Sequence, residues 1–407
     1  MQQTLDFVSE TKEFSVPPDI NDGTNKVIEY LMLVRKAILE IRSFAKNDII
    51  KLAEVLKFAR DLNREVKIVG TGHDYCITNH AHVDWLKTIN LRVVDIGVPT
   101  FTAFGNDYPH ATQIKEILKL RSFGNKDVLV GLQFEGNNLL LDEAFKFNYE
   151  HDGINILISN NRAVNHNIHH HICIETDNVH VARDISQIIL HFLGIHIANE
   201  KDAGAIDEGA RDFSSYCDLL LESLNDDCYS CSNLSRISAL IKNKLSNGHS
   251  LYAFGNGGSA ALSTYLIEGL REMYMNSPHI YRNLFDLTSF LGEVTGSISK
   301  GYYKKDIYTN LIENLGVKNG DVLFGISSSG NSENIIHPFT KIHKAFRIGL
   351  LGFDEGGIIG NKPIKDMAFI VPDRGSYKSY QRAEDGQRIA ISAILNTFTL
   401  EEQAQNV

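Results

Sequence analysis

The sequence lacks the features that mark secreted, membrane-spanning or nucleic-acid-coating proteins. Its five cysteines are an odd number in a chain of 407 residues, which is not the pattern of a disulfide framework. No apolar run approaches the ~20 residues that a membrane helix needs, and the N-terminus lacks the layout of a signal peptide. The net charge of −10 does not favour general binding to a phosphate backbone. We therefore expect a cytoplasmic protein with no membrane and no nucleic acid among its partners.

Proline is also scarce, with 8 residues against 31 glycines, while 43% of the chain is hydrophobic and 22% is charged. These fractions are ordinary for globular proteins and exclude disordered, collagen-like and coiled-coil chains. At roughly 150 residues per domain, the length indicates two or three domains, each large enough for its own core.

The chain repeats itself. The segment 66–72 resembles 251–257 at an offset of 185, and 127–131 recurs as 321–325 at an offset of 194. The matches keep their order, and an insertion of nine residues (194 − 185) explains the change of offset. The sequence therefore predicts two copies of one module.

Each copy contains short β-rich runs, bounded by glycine and separated by stretches of helical length. The runs lie at 66–70, 92–96, 127–132, 154–159 and 171–175, then at 250–254, 280–286, 321–326, 347–352 and 367–371. Such alternation predicts an α/β fold in which each module is a parallel five-stranded sheet flanked by helices in three layers. The expected organisation is an N-terminal arm at 1–23, a first module at 24–198, a linker at 199–209 and a second module at 210–407.

Two loops of the second copy indicate an anion site. Residues 255–259, which read Gly-Asn-Gly-Gly-Ser, follow the first strand, and residues 327–332, which contain four serines and one glycine, follow the third. Taken alone, each loop is better explained as a glycine- and serine-rich turn with a helix cap. Both, however, leave the carboxyl ends of strands in one sheet, where α/β folds place ligands. They predict a phosphate cradle made by Asn256, Gly257, Gly258, Ser259, Ser327, Ser328, Ser329 and Ser332.

No lysine of the Walker type follows either loop, so a nucleoside triphosphatase is disfavoured. An oxidoreductase is disfavoured too, because His73 and Asp74 follow Gly70-x-Gly72 where the dinucleotide fingerprint needs a third glycine. We therefore expect no nucleotide cofactor.

The two loops, together with 349–357, resemble the SIS (sugar isomerase) domain, and within it the phosphoheptose isomerase family, over about 210–402. The resemblance implies flavodoxin-like modules that convert sedoheptulose 7-phosphate to a heptose 7-phosphate, in the metabolism of lipopolysaccharide or capsule carbohydrates. It also implies a homo-oligomer, here a dimer with four SIS modules.

In that family, a His and a Glu four residues later, with a Gln and a His from the last long helix, bind zinc and handle the proton. The second copy departs from this pattern. Its corresponding positions are Tyr265, Gly269, Glu384 and Ser392, of which Glu384 alone can act as a ligand or base. The second copy is expected to hold phosphate without the family's catalytic set.

The first copy departs in the opposite sense. Its loops carry Asp74 and Glu135, which would repel a phosphate unless turned away. Yet His80 and Asp84 are four residues apart, on one face of a helix, and His191 aligns with the family's second His. The resemblance implies that these three hold zinc or another divalent metal.

Three further positions of the first copy carry expectations. Arg183 replaces the family's Gln, and we expect it to contact the sugar phosphate or to pair with Asp184. The family's Gly-Asn-Asp segment is present, so Asn106 and Asp107 are expected to bind substrate hydroxyls.

Plainer interpretations exist for these residues. A His and an Asp four apart are more often a surface polar pair, and His191 lies in an apolar stretch where it can be an ordinary core histidine. The cluster at 166–171 is more typical of a polar turn before a strand than of a metal site, and Cys228 and Cys231 of incidental reduced thiols.

The second copy keeps the loops expected to hold phosphate, and the first copy keeps the residues expected to bind metal and transfer protons. This complementarity favours a composite site between the modules. We predict an aldose–ketose isomerase of a phosphorylated sugar, with phosphate held by the second module and with Asp84, His191 and Glu384 as the catalytic residues. The alternatives are a non-catalytic phosphosugar-binding regulator or scaffold, and another phosphosugar isomerase such as one acting on a hexosamine phosphate.

Overall fold

The computed structural model describes residues 20–94, 98–136, 138–162, 166–198, 211–224, 228–353, 355–372 and 379–398. Residues 1–19 of the predicted arm and the whole predicted linker, 199–209, lie outside this part of the chain. A helix already begins at Ile20, so the arm expected at 1–23 is too long. The helix is held by buried side chains that recur at helical spacing, such as Val27, Tyr30 and Val34.

Each copy forms a five-stranded, all-parallel sheet, so the predicted fold class is confirmed. The first sheet contains β1 (Val66–Val69), β2 (Val93–Val94), β3 (Val128–Gln133), β4 (Ile154–Ser159) and β5 (His170–Cys173). The second contains β6 (Leu251–Phe254), β7 (Leu284–Asp286), β8 (Val322–Ser327), β9 (Phe346–Leu351) and β10 (Met367–Ile370). The strand orders, β2-β1-β3-β4-β5 and β7-β6-β8-β9-β10, are the same arrangement twice.

Helices precede and separate the strands in both copies. The first half contains α1 (Ile20–Phe44), α2 (Lys46–Asp61), α3 (His73–Thr88), α4 (Val98–Asp107), α5 (Gln113–Leu120), α6 (Leu139–Glu150) and α7 (Val179–Ile197). The second half contains α8 (Phe213–Ser223), α9 (Cys228–Ser246), α10 (Gly258–Met273), α11 (Pro278–Tyr281), α12 (Leu291–Ser299), α13 (Ile307–Asn314), α14 (Glu333–Lys341), α15 (Gly357–Asn361) and α16 (Tyr380–Asn396). In the described residues, no helix combines the length and the apolar character needed to cross a bilayer.

One strand is shorter than its sequence pattern. The run at 280–286 was expected to be a strand throughout, but β7 begins only at Leu284. Pro278 stands at the first position of the short helix α11, where its missing N–H costs nothing and its fixed φ starts a helical turn.

The duplication extends to individual contacts. Gly131 in β3 faces Phe145 of α6, and Gly325 in β8 faces Phe339 of α14. A Cβ at either glycine would lie 2.5 Å from an atom of the facing phenyl ring. The two copies therefore use the same device, in which a glycine of the third strand lets the next helix pack closely on the sheet.

The loop before the third strand is also built twice in the same way. Asp127 accepts a hydrogen bond from the backbone N–H of Glu65 at 2.9 Å, and Asp321 accepts one from that of Ser250, also at 2.9 Å. These carboxylates satisfy donors that the strand ladder leaves open.

Four helices form the seam between the modules. The helix after the first strand of each module, α3 or α10, packs against its counterpart, and so do the last helices, α7 and α16. The leading helix α1 lies across this seam and contacts α9 and α16 as well as α7. One hydrophobic cluster runs through both modules, from Val27 to Phe398, and each module also has a smaller cluster of its own.

We predict that Gly131→Ala and Gly325→Ala destabilise the protein by similar amounts, about 1–3 kcal/mol each, because the added methyl group overpacks the same strand–helix contact. Denaturant unfolding of both variants measures the effect. Gly292→Ala is the matched control, since a Cβ there meets nothing within 4 Å. Unequal losses, with one variant as stable as the parent, would contradict the equivalence of the two contacts.

Candidate functional site

The last helices of the two modules carry charged side chains into the buried seam. Asn178 caps α7 and Ser379 caps α16, each accepting a hydrogen bond from a backbone N–H of the first turn. Along these helices, polar residues such as Arg183, Asp184 and Asp385 are almost completely buried. Burying an unpaired charge costs free energy, so these side chains make the seam between the modules the candidate functional site.

Four potential metal ligands converge there, and we refer to them as the four-donor group. His80 and Asp84 lie on α3, His191 on α7 and Glu384 on α16. One ligand atom of each lies within 4.8 Å of the others. The group joins both modules of the chain, and it includes all three residues predicted to hold a metal and all three predicted to be catalytic.

The distances within the group suit a small cation. His80 Nε2 lies 3.0 Å from Glu384 Oε2 and 3.3 Å from His191 Nε2, which lies 3.4 Å from Asp84 Oδ2. Nitrogen and oxygen ligands of a tetrahedral zinc lie roughly 3.3–3.6 Å from one another. Asp84 Oδ2 is also buried without a hydrogen bond. The donor types, the spacing and this unsatisfied oxygen fit zinc or a similar divalent ion.

Burial and nearby carboxylates both act on the pKa of His191. Burial would lower its pKa, but the carboxylates of Asp385, Asp84 and Glu384 outweigh burial and raise the pKa of His191 to about 9. Three acids around one imidazole are therefore a site with an excess of negative charge, which a proton or a metal ion can balance.

The glycine-rich loop of the second module (residues 255–259) lies directly against this group. A Cβ on Gly258 would overlap His80 Nε2 and would lie 2.7 and 2.8 Å from the carboxylate oxygens of Glu384. Gly257 has a φ of 55°, a conformation that favours glycine. Asn256 is held by an amide hydrogen bond with Asn334 at 2.9 Å.

The serine loop (residues 327–332) reaches the same region. Ser328 is buried, and its hydroxyl lies 3.3 Å from Gln387 Oε1. Gln387 lies one turn beyond Glu384 on α16. Both predicted phosphate loops of the second module therefore flank the helix that supplies a residue to the four-donor group.

Within the serine loop, two hydroxyls support the turn. Ser327 Oγ accepts from the backbone N–H of Gly330 at 3.1 Å, and Ser329 Oγ from that of Asn331 at 3.3 Å. Ser332 occupies the N-cap position of α14, with no capping hydrogen bond from its side chain. An incoming anion would thus meet a helix start and serine hydroxyls.

Arg183 is placed differently from either expectation. Its guanidinium donates to Asp74 Oδ1 and to Glu135 Oε1, both at 2.7 Å. It pairs neither with Asp184 nor with the loops of the second module, because the two acidic residues in the first module's own loops lie closer. Arg183 therefore neutralises the acidic loops of its own module, and its contact with a sugar phosphate stays a prediction.

Asn106 and Asp107 are not part of the buried group either. They end α4, and both side chains are exposed. That they bind substrate hydroxyls stays a prediction.

The pseudo-equivalent position on the other side of the seam is filled with side chains. Tyr265, which corresponds to His80, bonds through its hydroxyl to His180 and Ser392, at 3.0 Å each. The guanidinium of Arg388 lies 3.9 Å from its ring centroid. His73 stands where the other copy has Gly258, with its ring 6.0 Å from that of Tyr265. The chain thus retains the four-donor group on one side of the seam and closes the other.

The remaining clusters have structural partners. His169 Nδ1 accepts from the backbone N–H of Asn155, and His171 Nε2 lies 2.9 Å from Ser159 Oγ. Strand β5 begins at His170, as expected of a polar turn that leads into a strand. The Cys231 side chain is buried, and the Cys228 side chain lies outside the described ones.

Sequence reasoning missed Asp385 and Tyr216. Asp385 Oδ1 accepts from His191 Nδ1 at 2.7 Å, and Asp385 Oδ2 accepts from the hydroxyl of Tyr216 at 2.6 Å. A signal was present, because Asp184 and Asp385 are 201 residues apart, the same offset as His191 and Ser392.

Comparison with known proteins agrees with this architecture. A family model of the SIS domain matches residues 215–345. The phosphoheptose isomerase of Helicobacter pylori is 33% identical over 137 residues, which cover 33% of this chain and 67% of that protein.

Two solved structures share the fold over almost the whole chain. One is a protein of Silicibacter pomeroyi assigned as a phosphosugar isomerase, with a TM-score of 0.56 and 11% identity, covering 93% of this chain and 98% of that one. The other is the C-terminal domain of glucosamine-fructose-6-phosphate aminotransferase from Francisella tularensis, with a TM-score of 0.56 and 11% identity, covering 92% and 96%. The chain belongs to the SIS-domain family of phosphosugar isomerases, which includes the phosphoheptose isomerases.

Proposed function

We propose that this chain is an aldose–ketose isomerase of a phosphorylated sugar, with one composite active site per chain. One observation carries the proposal: Gly258, in the loop suited to phosphate, lies against His80 and Glu384 of the four-donor group. Phosphate binding and proton transfer can therefore act on the two ends of one small molecule. The sequence similarity to the Helicobacter pylori phosphoheptose isomerase favours sedoheptulose 7-phosphate as the substrate and a heptose 7-phosphate as the product.

The second module would bind the phosphate group. The starts of α10 and α14 present unpaired backbone N–H groups and the positive ends of helix dipoles. Serine hydroxyls of the two loops, such as Ser259 and Ser328, can donate to phosphate oxygens without adding charge. The first module cannot do this, because Asp74 and Glu135 stand in its loops.

The first module would supply most of the chemistry. Interconversion of an aldose and a ketose needs a base that takes a proton from the carbon beside the carbonyl, and an acid that returns one to the neighbouring atom. Asp84 has a buried carboxylate oxygen without a hydrogen bond, so it is suited to accept the proton. His191 presents Nε2 to the same space. With a proton on Nε2 it is suited to donate, and without that proton it is suited to bind a cation. Glu384 holds His80 through the 3.0 Å contact.

Zinc or another divalent cation would be held by His80, Asp84 and His191, with Glu384 as the fourth ligand where the family has Gln. A bound cation would polarise the substrate carbonyl and stabilise the negative oxygen that develops beside it. A small cleft lined by Asp84, His191 and Gln381 adjoins the group.

We expect Asp84→Asn to lower kcat by about 10²–10⁴-fold, because it removes the proposed base. Ser328→Ala should instead raise KM by about 10–100-fold, the effect of losing one hydrogen bond to a charged group. Product formation from sedoheptulose 7-phosphate measures both, and Asp48→Asn, on the exposed face of α2, is the control. Turnover at the parent rate by the Asp84 variant would refute catalysis by the first module. A parent chain that binds sugar phosphates without converting them would be a binding protein.

Zinc titration by calorimetry tests the metal set. We expect one ion per chain and at least a tenfold loss of affinity in His80→Gln and Glu384→Ala, because each removes a ligand. Glu384→Gln should keep most of the affinity, since an amide oxygen can replace the carboxylate. Equal affinity in all four proteins would place the ion elsewhere.

Gly258→Ala should strongly lower turnover in a folded protein, because its methyl group would displace His80 or Glu384. We expect a loss in kcat of at least about 10²-fold, since small misplacements of reacting groups are this costly. Gly292→Ala, with open space around the Cβ, is the matched control. Circular dichroism and thermal melting show whether the fold is intact. An active Gly258→Ala enzyme would mean that the loop does not adjoin the reacting centre.

A further inference from the structure

Asp385 lies beside the four-donor group, and its side chain is fully buried. It belongs to α16 of the second module, whereas His191, which donates to its Oδ1 at 2.7 Å, belongs to α7 of the first. Tyr216 donates to Oδ2 at 2.6 Å, and Gln187 Nε2 approaches Oδ1 at 3.3 Å. A carboxylate is an acceptor, so the imidazole must carry its proton at Nδ1 and direct Nε2 toward His80 and Asp84.

The same arrangement occurs on the other side of the seam. Asp184 of the first module accepts from the hydroxyl of Tyr30 at 2.7 Å and from Ser392 of the second module at 2.8 Å. The positions correspond in sequence, because Asp184 to Asp385 and His191 to Ser392 are both offsets of 201 residues. Each copy therefore extends an aspartate, held by a tyrosine, to the last helix of the other copy.

The two sides differ in what the aspartate holds. Asp385 holds the histidine of the four-donor group, whereas Asp184 holds a serine and the guanidinium of Arg388, at 3.1 Å. Asp184 thus stabilises a closed, charge-neutralised side, and its tyrosine is buried like that of the other pair. Comparing the Tyr216–Asp385 pair with the Tyr30–Asp184 pair in the same chain therefore isolates the effect of such a pair on a histidine.

We propose that Asp385, itself held by Tyr216, is the positioning residue that orients His191 from the opposite module. The pair fixes the imidazole so that Nε2 faces His80 and Asp84. The geometry of the proposed site therefore depends on how the two modules dock. The consequence for turnover rests on the proposed isomerase function, but the orientation of His191 does not.

Nuclear magnetic resonance of histidine side chains tests the orientation directly. In the 15N-histidine-labelled chain, the Nδ1–H proton of His191 should give a downfield, slowly exchanging signal, assigned by its loss in His191→Gln. Asp385→Asn should shift this signal upfield or abolish it, because the charged acceptor is gone. Tyr216→Phe should shift it downfield, because Asp385 then has one donor fewer and binds the imidazole more strongly.

Tyr30→Phe is the matched control. It removes a hydroxyl from an equally buried tyrosine that binds the pseudo-equivalent aspartate, so it imposes the same packing change without touching His191. We expect the His191 signal to be unchanged in this variant. An unchanged signal in Asp385→Asn overturns the proposal, and so does an equal shift in Tyr30→Phe and Tyr216→Phe. If Asp385→Asn does not fold, an unchanged signal in Tyr216→Phe is decisive against it.

Kinetics then measure the consequence. With sedoheptulose 7-phosphate as substrate, Asp385→Asn should lower kcat by about 10–100-fold, the usual effect of losing a partner that orients a ligand. KM should stay the same, because the phosphate loops are untouched, and Tyr30→Phe should match the parent. A variant with the parent kcat contradicts positioning. A parent without isomerase activity instead refutes the proposed function and leaves the resonance experiment to decide the role of Asp385.

Discussion

The structure depends on one constraint, which is that each charged side chain buried in the seam between the modules needs a charged or hydrogen-bonding partner. The last helices, α7 and α16, pack against each other in the core, yet both carry acids and bases on the facing surfaces. A buried charge without a partner costs several kcal/mol, and Asp184 and Asp385 each have at least one partner in the opposite module. Asp385 accepts from His191, and Asp184 accepts from Ser392 and Arg388. Each module thus completes the hydrogen bonding of the other.

This reciprocity explains how the two copies can differ so strongly without losing the fold. On one side, the seam concentrates His80, Asp84, His191 and Glu384 around a common point. On the other, aromatic and charged side chains fill the equivalent space. His73 in place of a glycine removes the room that Gly258 leaves beside the four-donor group. One side therefore keeps the four-donor group, and the other is filled by side chains that pair with one another.

Arg183 illustrates the same principle in the first module's loops. Two carboxylates, those of Asp74 and Glu135, stand where a phosphate would bind in the second module. Burial raises the pKa of Asp74, and the guanidinium of Arg183 opposes that rise. The two ion pairs balance the negative charge of these loops with a guanidinium from the same module.

Much of the architecture followed from local pattern, because strand and helix periods and glycine-bounded turns are properties of neighbouring residues. The repeat, both five-stranded sheets, the two loops and the pairing of His80 with Asp84 on one helical face could all be inferred from residue order. The sequence by itself could not show that Glu384 contacts His80 or that Asp385 accepts a hydrogen bond from His191. It also could not show that Arg183 pairs with acids in the loops of its own module. The contacts of Glu384 and Asp385 join residues 304 and 194 positions apart, and they depend on the docking of α16 on the first module. Arg183 reaches acids 109 and 48 positions away within its own module, which the folding of that module decides. Docking determines which charges are buried together, and buried charges must find partners wherever the fold has placed them.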